Sequence, residues 1–175
     1  MDERTVRSLK LDQTVHVSGP IITGRDRMHA RALTSERVPE ELYGATLFHC
    51  GPIVMNGKII AAGPTTSARM NSSEAEMIRR FKIRGIIGKG GMSGEVLEAM
   101  KEVGCVYLAA IGGAAVSLAE CLNETGAEWE DLGMAEAMWK FNAERLGPLV
   151  VAMDAAGNSI YSGVDSKVKE FLKGL

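Results

Sequence analysis

Apolar and polar positions alternate over residues 13–18, QTVHVS, with the two-residue period of a half-buried strand, and Gly19-Pro20 then signals a break. Met28, Ala30 and Leu33 follow at helical spacing, with the Asp26 carboxylate placed to cap the exposed amides ahead of them. The apolar run ATLFHC at 45–50 reads as a buried strand, and IVMNGKII at 53–60 sets Asn-Gly between two apolar arms, the pattern of a tight hairpin. Ser73 and Glu76 stand at capping-box spacing before Met77, Ile78 and Phe81, which predicts a helix over about 73–82. From there short apolar runs each enter a glycine turn and then a helix, first in IRGIIGKGGMSGEVLEAMKEVG and again in CVYLAAIGGAAVSLAECLNETG. A strand at 149–154, LVVAMD, and an amphipathic helix at 165–173, DSKVKEFLK, complete the order. Alternation of this kind favours parallel strands covered by helices, so the expected fold is a single α/β domain over residues 1–175, richer in hairpin in its first third.

Composition narrows the function. The chain has 175 residues, 46% hydrophobic and 24% charged, which allows one sizeable core. A net charge of −2 leaves no global positive field to draw it onto nucleic acid or an anionic membrane, so any anion must be held locally. No stretch approaches the roughly 18 uninterrupted apolar residues that span a bilayer, and MDERTVRSLKLDQ lacks the apolar run of a signal peptide; a cytoplasmic location is expected. Cys50, Cys105 and Cys121 are odd in number and far apart, which argues for reduced thiols. They show no C-x-x-C spacing, and no histidine pair stands at helical spacing beside a carboxylate, so neither a zinc site nor a complete cluster site is expected on this chain.

Three loops could hold an anion. GPTTSARM at 63–70 puts Thr65, Thr66, Ser67 and Arg69 directly after a predicted strand, where hydroxyls can donate and a planar guanidinium can clamp a carboxylate. The same residues also serve as ordinary turn and cap formers. GKGGMSG at 88–94 joins a predicted strand to a helix, so its amides and the Lys89 ammonium can converge on an anion; it is not a P-loop, since Gly90 follows Lys89 where Ser or Thr is required. AIGGAA at 110–115 repeats the arrangement without a lysine and reads as close packing. In GRDRMHAR at 24–31, Arg25 can reach a bound carboxylate at a helix entry, while Arg31 reads as a solvated charge and His29 as an ordinary hydrogen-bonded side chain before it reads as a proton carrier.

Taken in order, GRDRMHAR, FHCGPIV, GPTTSARM, GKGGM, AIGGAA, LGMAEAMW and GPLVVAMDAAGNSIY resemble the β subunit of two-subunit class I fumarate hydratases, the region that forms the C-terminal domain of the single-chain enzymes. The resemblance runs from about residue 10 to about residue 165. It implies a swivelling β/β/α fold and reversible hydration of fumarate to (S)-malate. It also implies an α-subunit partner whose cysteines bind a [4Fe–4S] cluster, hence a hetero-oligomer, and no cluster ligands here. By motif, substrate contacts fall on Arg25, Thr65, Arg69 and Lys89, with Thr65 as the proposed base and Lys89 also catalytic. L-tartrate dehydratase β subunits share GPTTS and GKGGM, so L-tartrate and mesaconate remain alternative substrates. A non-catalytic anion-binding or assembly module is the alternative of another class.

Overall fold

The computed structural model describes residues 1–173. A short helix α1 (Glu3–Ser8) precedes a long strand β1 (Thr14–Thr23) and helix α2 (Asp26–Thr34). Then come β2 (Thr46–Phe48), the hairpin β3 (Ile53–Met55) and β4 (Lys58–Ala61), and α3 (Asn71–Phe81) entered through a 3-10 turn at Ser67–Met70. Next are β5 (Gly85–Gly88), α4 (Gly94–Val103), β6 (Val106–Ala109), α5 (Ala115–Ala119), β7 (Leu122–Glu128), β8 (Met138–Met153) and α6 (Ile160–Lys173). The mixed α/β class expected from the alternating pattern is what forms.

β1, β2, β5 and β6 run parallel in that spatial order, and β8 pairs antiparallel with both β6 and β1. That double pairing closes the sheet on itself. β7 extends it along the first half of β8, pairing Leu122 with Ala143 and Glu128 with Met138.

Successive strand residues point to opposite faces, which divides the core in two. Ile21, Phe48, Ile87, Val106, Leu108, Phe141, Leu149 and Val151 fill one cluster. Their immediate neighbours Ile22, Leu47, Ile86, Tyr107 and Ala152 fill the other, against Met28 and Ala32 of α2, Met77, Ile78 and Phe81 of α3, and Val96 and Met100 of α4. Because both faces are buried, the short parallel strands read as continuous apolar runs.

Several local expectations need correction. Gly19-Pro20 does not end β1: the strand continues to Thr23, with register shifts between Val15 and Gly19 that absorb Gly19 at φ +104° as bulges. LVVAMD is only the end of β8, and the second strand–turn–helix unit has a five-residue helix followed by a strand, because LNETGAE pairs with β8. Asp26 does not cap α2; Arg25 occupies the N-cap position without a side-chain cap bond. Ser73 does not cap α3 either, since the helix begins at Asn71 and the Ser73 hydroxyl donates back to the Met70 carbonyl. The predicted terminal helix begins earlier, at Ile160. The hairpin forms as expected, with Asn56 and Gly57 both at positive φ in its turn.

Phe141 is 1% exposed and packs in the core with Phe48, Leu108 and Leu149. Phe141→Ala should lower unfolding free energy by about 3–5 kcal/mol in denaturant titration, through lost transfer energy and an unfilled cavity. A loss under about 1 kcal/mol would contradict the closed packing described here.

Candidate functional site

The parallel strands β1, β2, β5 and β6 all end at one rim, and chemistry-bearing loops leave from each end, as is usual for ligand sites in sheets of this kind. Arg25 lies two residues after β1, His49 follows β2, Lys89 follows β5, and Ile111-Gly112 lies just beyond β6.

The loop carrying Thr65 is pinned across this rim. The Thr65 amide donates to the His49 carbonyl at 2.7 Å, the Lys89 amide donates to the Thr65 carbonyl at 3.2 Å, and the Ser67 amide donates to the Lys89 carbonyl at 3.0 Å. Thr66 and Lys89 thus form an isolated parallel bridge. The Thr65 hydroxyl has no hydrogen-bond partner among the described residues, and no carboxylate pairs with the Lys89 ammonium there. That ammonium lies close to Gly112, where a Cβ would stand 3.9 Å from Nζ.

Both arginines are already engaged. Arg69 donates from Nη2 to Asp26 Oδ2 at 2.6 Å, half exposed. Arg25 Nε stands 3.3 Å from Glu136 Oε1 without a formed hydrogen bond, while Glu136 Oε2 accepts from the Arg27 amide. The Asp26–Arg69 contact draws the GRDRMHAR and GPTTSARM loops together, so all four predicted site residues belong to one rim. Exposed pairs of this sort are worth about 0.2–1 kcal/mol and exchange partners readily. Arg31 pairs with Asp131 on the surface, in line with its reading as a solvated charge.

A second constellation lies beneath the loop, and local sequence patterns missed it. His29 of α2, His49 and Glu74 of α3 are all fully buried. His49 Nε2 is 3.0 Å from Glu74 Oε2, His29 Nδ1 is 3.6 Å from the same oxygen, and His29 Nδ1 also meets the Ser73 hydroxyl at 3.2 Å. On its other side His49 Nδ1 contacts the Ser67 hydroxyl at 2.8 Å, and Ser67 accepts from the Tyr107 hydroxyl at 2.9 Å. Burial raises the Glu74 carboxyl, but attraction to His49 and then His29 outweighs it and holds the group below its usual range. Burial pushes His29 down to about 4, so it is neutral at pH 7. His29 and Glu74 are 45 positions apart, and no local motif joins the three residues.

His29, His49 and Glu74 are also the one group of three or more converging donors among the described residues, within 4.8 Å of one another. The 3.0 Å between His49 Nε2 and Glu74 Oε2 is a direct contact, shorter than the roughly 3.4 Å separating two ligands around a tetrahedral ion. The cysteines do not suit an iron–sulfur cluster. Burial raises Cys50 to about 12 and Cys105 well above its ordinary value, Cys121 turns its thiol to the Ser117 carbonyl, and none joins such a donor group. A cavity of about 430 Å³ lies elsewhere, lined by Ile21, Tyr43, Thr46 and Phe141; its charges Glu41 and Lys140 pair with each other at 2.6 Å and offer an anion little.

The sequence profile of the Fumarase C-terminus family matches residues 1–164. The chain belongs to that family. A Methanocaldococcus jannaschii protein provisionally named L(+)-tartrate dehydratase subunit beta is 40% identical, over 100% of this chain and 95% of its own. A Geobacillus stearothermophilus protein provisionally named fumarate hydratase class I is 39% identical over 97% of this chain, which spans only 34% of that longer relative. The Escherichia coli (strain K12) L(+)-tartrate dehydratase subunit beta is 33% identical over 89% of this chain and 80% of its own. In this Fumarase C-terminus chain, GPTTSARM and GKGG meet across the rim through the Thr66–Lys89 bridge. No helix among the described residues is long and apolar enough to cross a membrane.

The histidine–glutamate cluster predicts an acid-side stability loss. His29 has its folded value depressed below 6.5, so the unfolded chain binds more protons as pH falls; its contribution is complete above about 6.5 and shrinks as pH drops toward 4. Glu74, also depressed, works in the same direction below the ordinary carboxylate range. Denaturant unfolding of the full chain should therefore show stability falling from pH 7 to pH 4, and His29→Gln should flatten that profile. An unchanged slope would remove His29 as its source.

Proposed function

We propose that this chain is the β subunit of a hydro-lyase of the class I fumarate hydratase type, of swivelling β/β/α form and cytoplasmic, working in a hetero-oligomer with an α subunit that carries a [4Fe–4S] cluster. The observation that carries the reading is Lys89: a partly buried ammonium without a carboxylate partner among the described residues, hydrogen-bonded through its backbone to Thr65, whose hydroxyl is equally unpartnered among them. Such an arrangement suits an anion. A small dicarboxylate suits it, with Arg69 and Arg25 at the same rim for further carboxylate contacts.

Fumarate is the proposed substrate and (S)-malate the product. Removing the C3 proton of malate drives charge into the neighbouring carboxylate, and Lys89 with Arg69 would neutralise it there, each charge-assisted bond being worth about 1.5–3 kcal/mol. The Thr65 hydroxyl would handle the C3 proton; because a threonine alkoxide is a strong base, it needs the adjacent cationic field of Lys89 and Arg69 to form or to relay. Lewis-acid chemistry at the hydroxyl would come from the α subunit's cluster, since this chain's cysteines do not gather. Apolar residues support a covered site: Ile53, Met55 and Ile60 of the hairpin, and Ile111 and Val116 around α5, are exposed beside the rim. A partner seated there would exclude water and strengthen every charge in the site. L-tartrate is a second reading, favoured by the names of the Methanocaldococcus and Escherichia relatives.

The purified chain alone should be colourless, iron-free and inactive, and should gain fumarate hydration on addition of an anaerobically prepared, cluster-loaded α subunit. Lys89→Met should then lower kcat/KM by about 10²-fold or more, and Thr65→Val should lower kcat more than it raises KM. Arg69→Lys, although still charged, should lose the forked contact and much of the activity. A higher kcat/KM for L-tartrate would move the substrate and keep the site. Binding of dicarboxylates with no turnover alongside any α subunit would favour an anion-binding module instead.

A further inference from the structure

Gly88, the residue immediately before Lys89, is where the two constellations meet. A Cβ at Gly88 would lie 2.0 Å from the Ser67 hydroxyl oxygen, 3.2 Å from the Tyr107 hydroxyl and 3.4 Å from the His49 Cβ. The end of β5 is therefore bare because a buried polar chain runs directly over it. That chain passes from Tyr107 of β6 to Ser67, from Ser67 to His49 Nδ1, and from His49 Nε2 to Glu74 of α3. Two of these residues are themselves struts of the rim. His49 gives its carbonyl to the Thr65 amide, and Ser67 gives its amide to the Lys89 carbonyl. The side chains of one layer thus tie together the backbone atoms that present the other.

We infer that the buried Glu74–His49–Ser67–Tyr107 chain is a positioning device, setting the backbone ladder between Thr65 and Lys89 so that the hydroxyl and the ammonium face one ligand. Its use in turnover rests on the hydro-lyase reading above; its geometric effect does not. Ser67 is central because its hydroxyl has contacts on two sides, one from Tyr107 and one to His49. The hydroxyls fit in one sense: Tyr107 donates to Ser67 and Ser67 donates to Nδ1 of His49, while His49 Nε2 stands 3.0 Å from Glu74 Oε2 without a formed hydrogen bond. Glu74, 3.0 Å from Nε2, holds the imidazole ring from that side, much as a carboxylate orients a histidine in other sites. All four side chains are fully buried, so the residues act through Thr65 and Lys89 rather than on substrate.

The test uses Ser67→Ala and Tyr107→Phe, which remove one hydroxyl each and leave the Glu74–His49 pair in place. In the reconstituted complex each should lower kcat by about 10- to 100-fold with a much smaller change in KM, as expected for misplaced groups. In a Lys89→Met background the same substitutions should have a smaller further effect, because part of their action passes through Lys89. Full, additive losses in that background, or wild-type kcat in the single variants, would overturn the inference. If the wild-type complex does not hydrate fumarate or dehydrate tartrate, the functional reading fails, and the full chain alone then decides the geometry. Backbone amide NMR should show Ser67→Ala shifting the resonances of Thr65 and Lys89 while leaving those of the β3–β4 hairpin turn in place. Unmoved Thr65 and Lys89 amides would overturn the positioning role whatever the reaction.

Discussion

Strand β8 is hydrogen-bonded along both edges, and the rest of the structure depends on that. With β1 on one side and β7 then β6 on the other, it turns a parallel sheet with two open edges into a closed one. Closure fixes where every parallel strand ends, and so brings loops from distant parts of the chain to a common rim. It also divides the side chains largely by parity: Val151 enters the enclosed cluster and Ala152 the helix-facing one. A single-residue slip of β8 would reverse both assignments at once.

The rim carries two kinds of charge, and their magnitudes assign them different work. Arg69–Asp26 and Arg31–Asp131 are exposed pairs, worth at most about 1 kcal/mol each, and the fold can do without them. Glu74, His49 and His29 are sealed from water. Leaving one charge there without its partner would cost about 3–5 kcal/mol, so their geometry is far more rigidly imposed. Mobile charges sit where a ligand can compete for them, and immobile ones lie beneath, where they hold the backbone.

How much of this was legible in the chain depended on the range of the interaction concerned. The Asn56-Gly57 turn is specified by two adjacent residues that tolerate positive φ, and it forms where the pattern placed it. The parallel strands were legible because burial on both faces makes them continuously apolar. β8 was half hidden: Arg145 and Gly147 at positive φ, with Pro148, interrupt the alternation, and only pairing with β1 and β7 carries the strand through. Ser73 and Glu76 had the spacing of a cap, yet the helix begins at Asn71 and its first turn instead buries Glu74 against His49. Arg25, Thr65, Arg69 and Lys89 could be nominated from their motifs and do reach one rim. His49 and Glu74 could not, since nothing local marks two residues joined only by the tertiary fold.

The contact between Asp26 and Arg69 gives the site a resident competitor. The Asp26 carboxylate is tethered beside the guanidinium, so it acts at a fixed effective concentration that dilution cannot lower. Any carboxylate that takes Arg69 must exchange with it, and the affinity gained is the difference between two similar bonds. Added salt weakens the contact being broken and the contact being made alike. Occupancy of this guanidinium should therefore depend on ionic strength much less than its charge alone would suggest, with selectivity resting on the shape and second charge of the incoming acid.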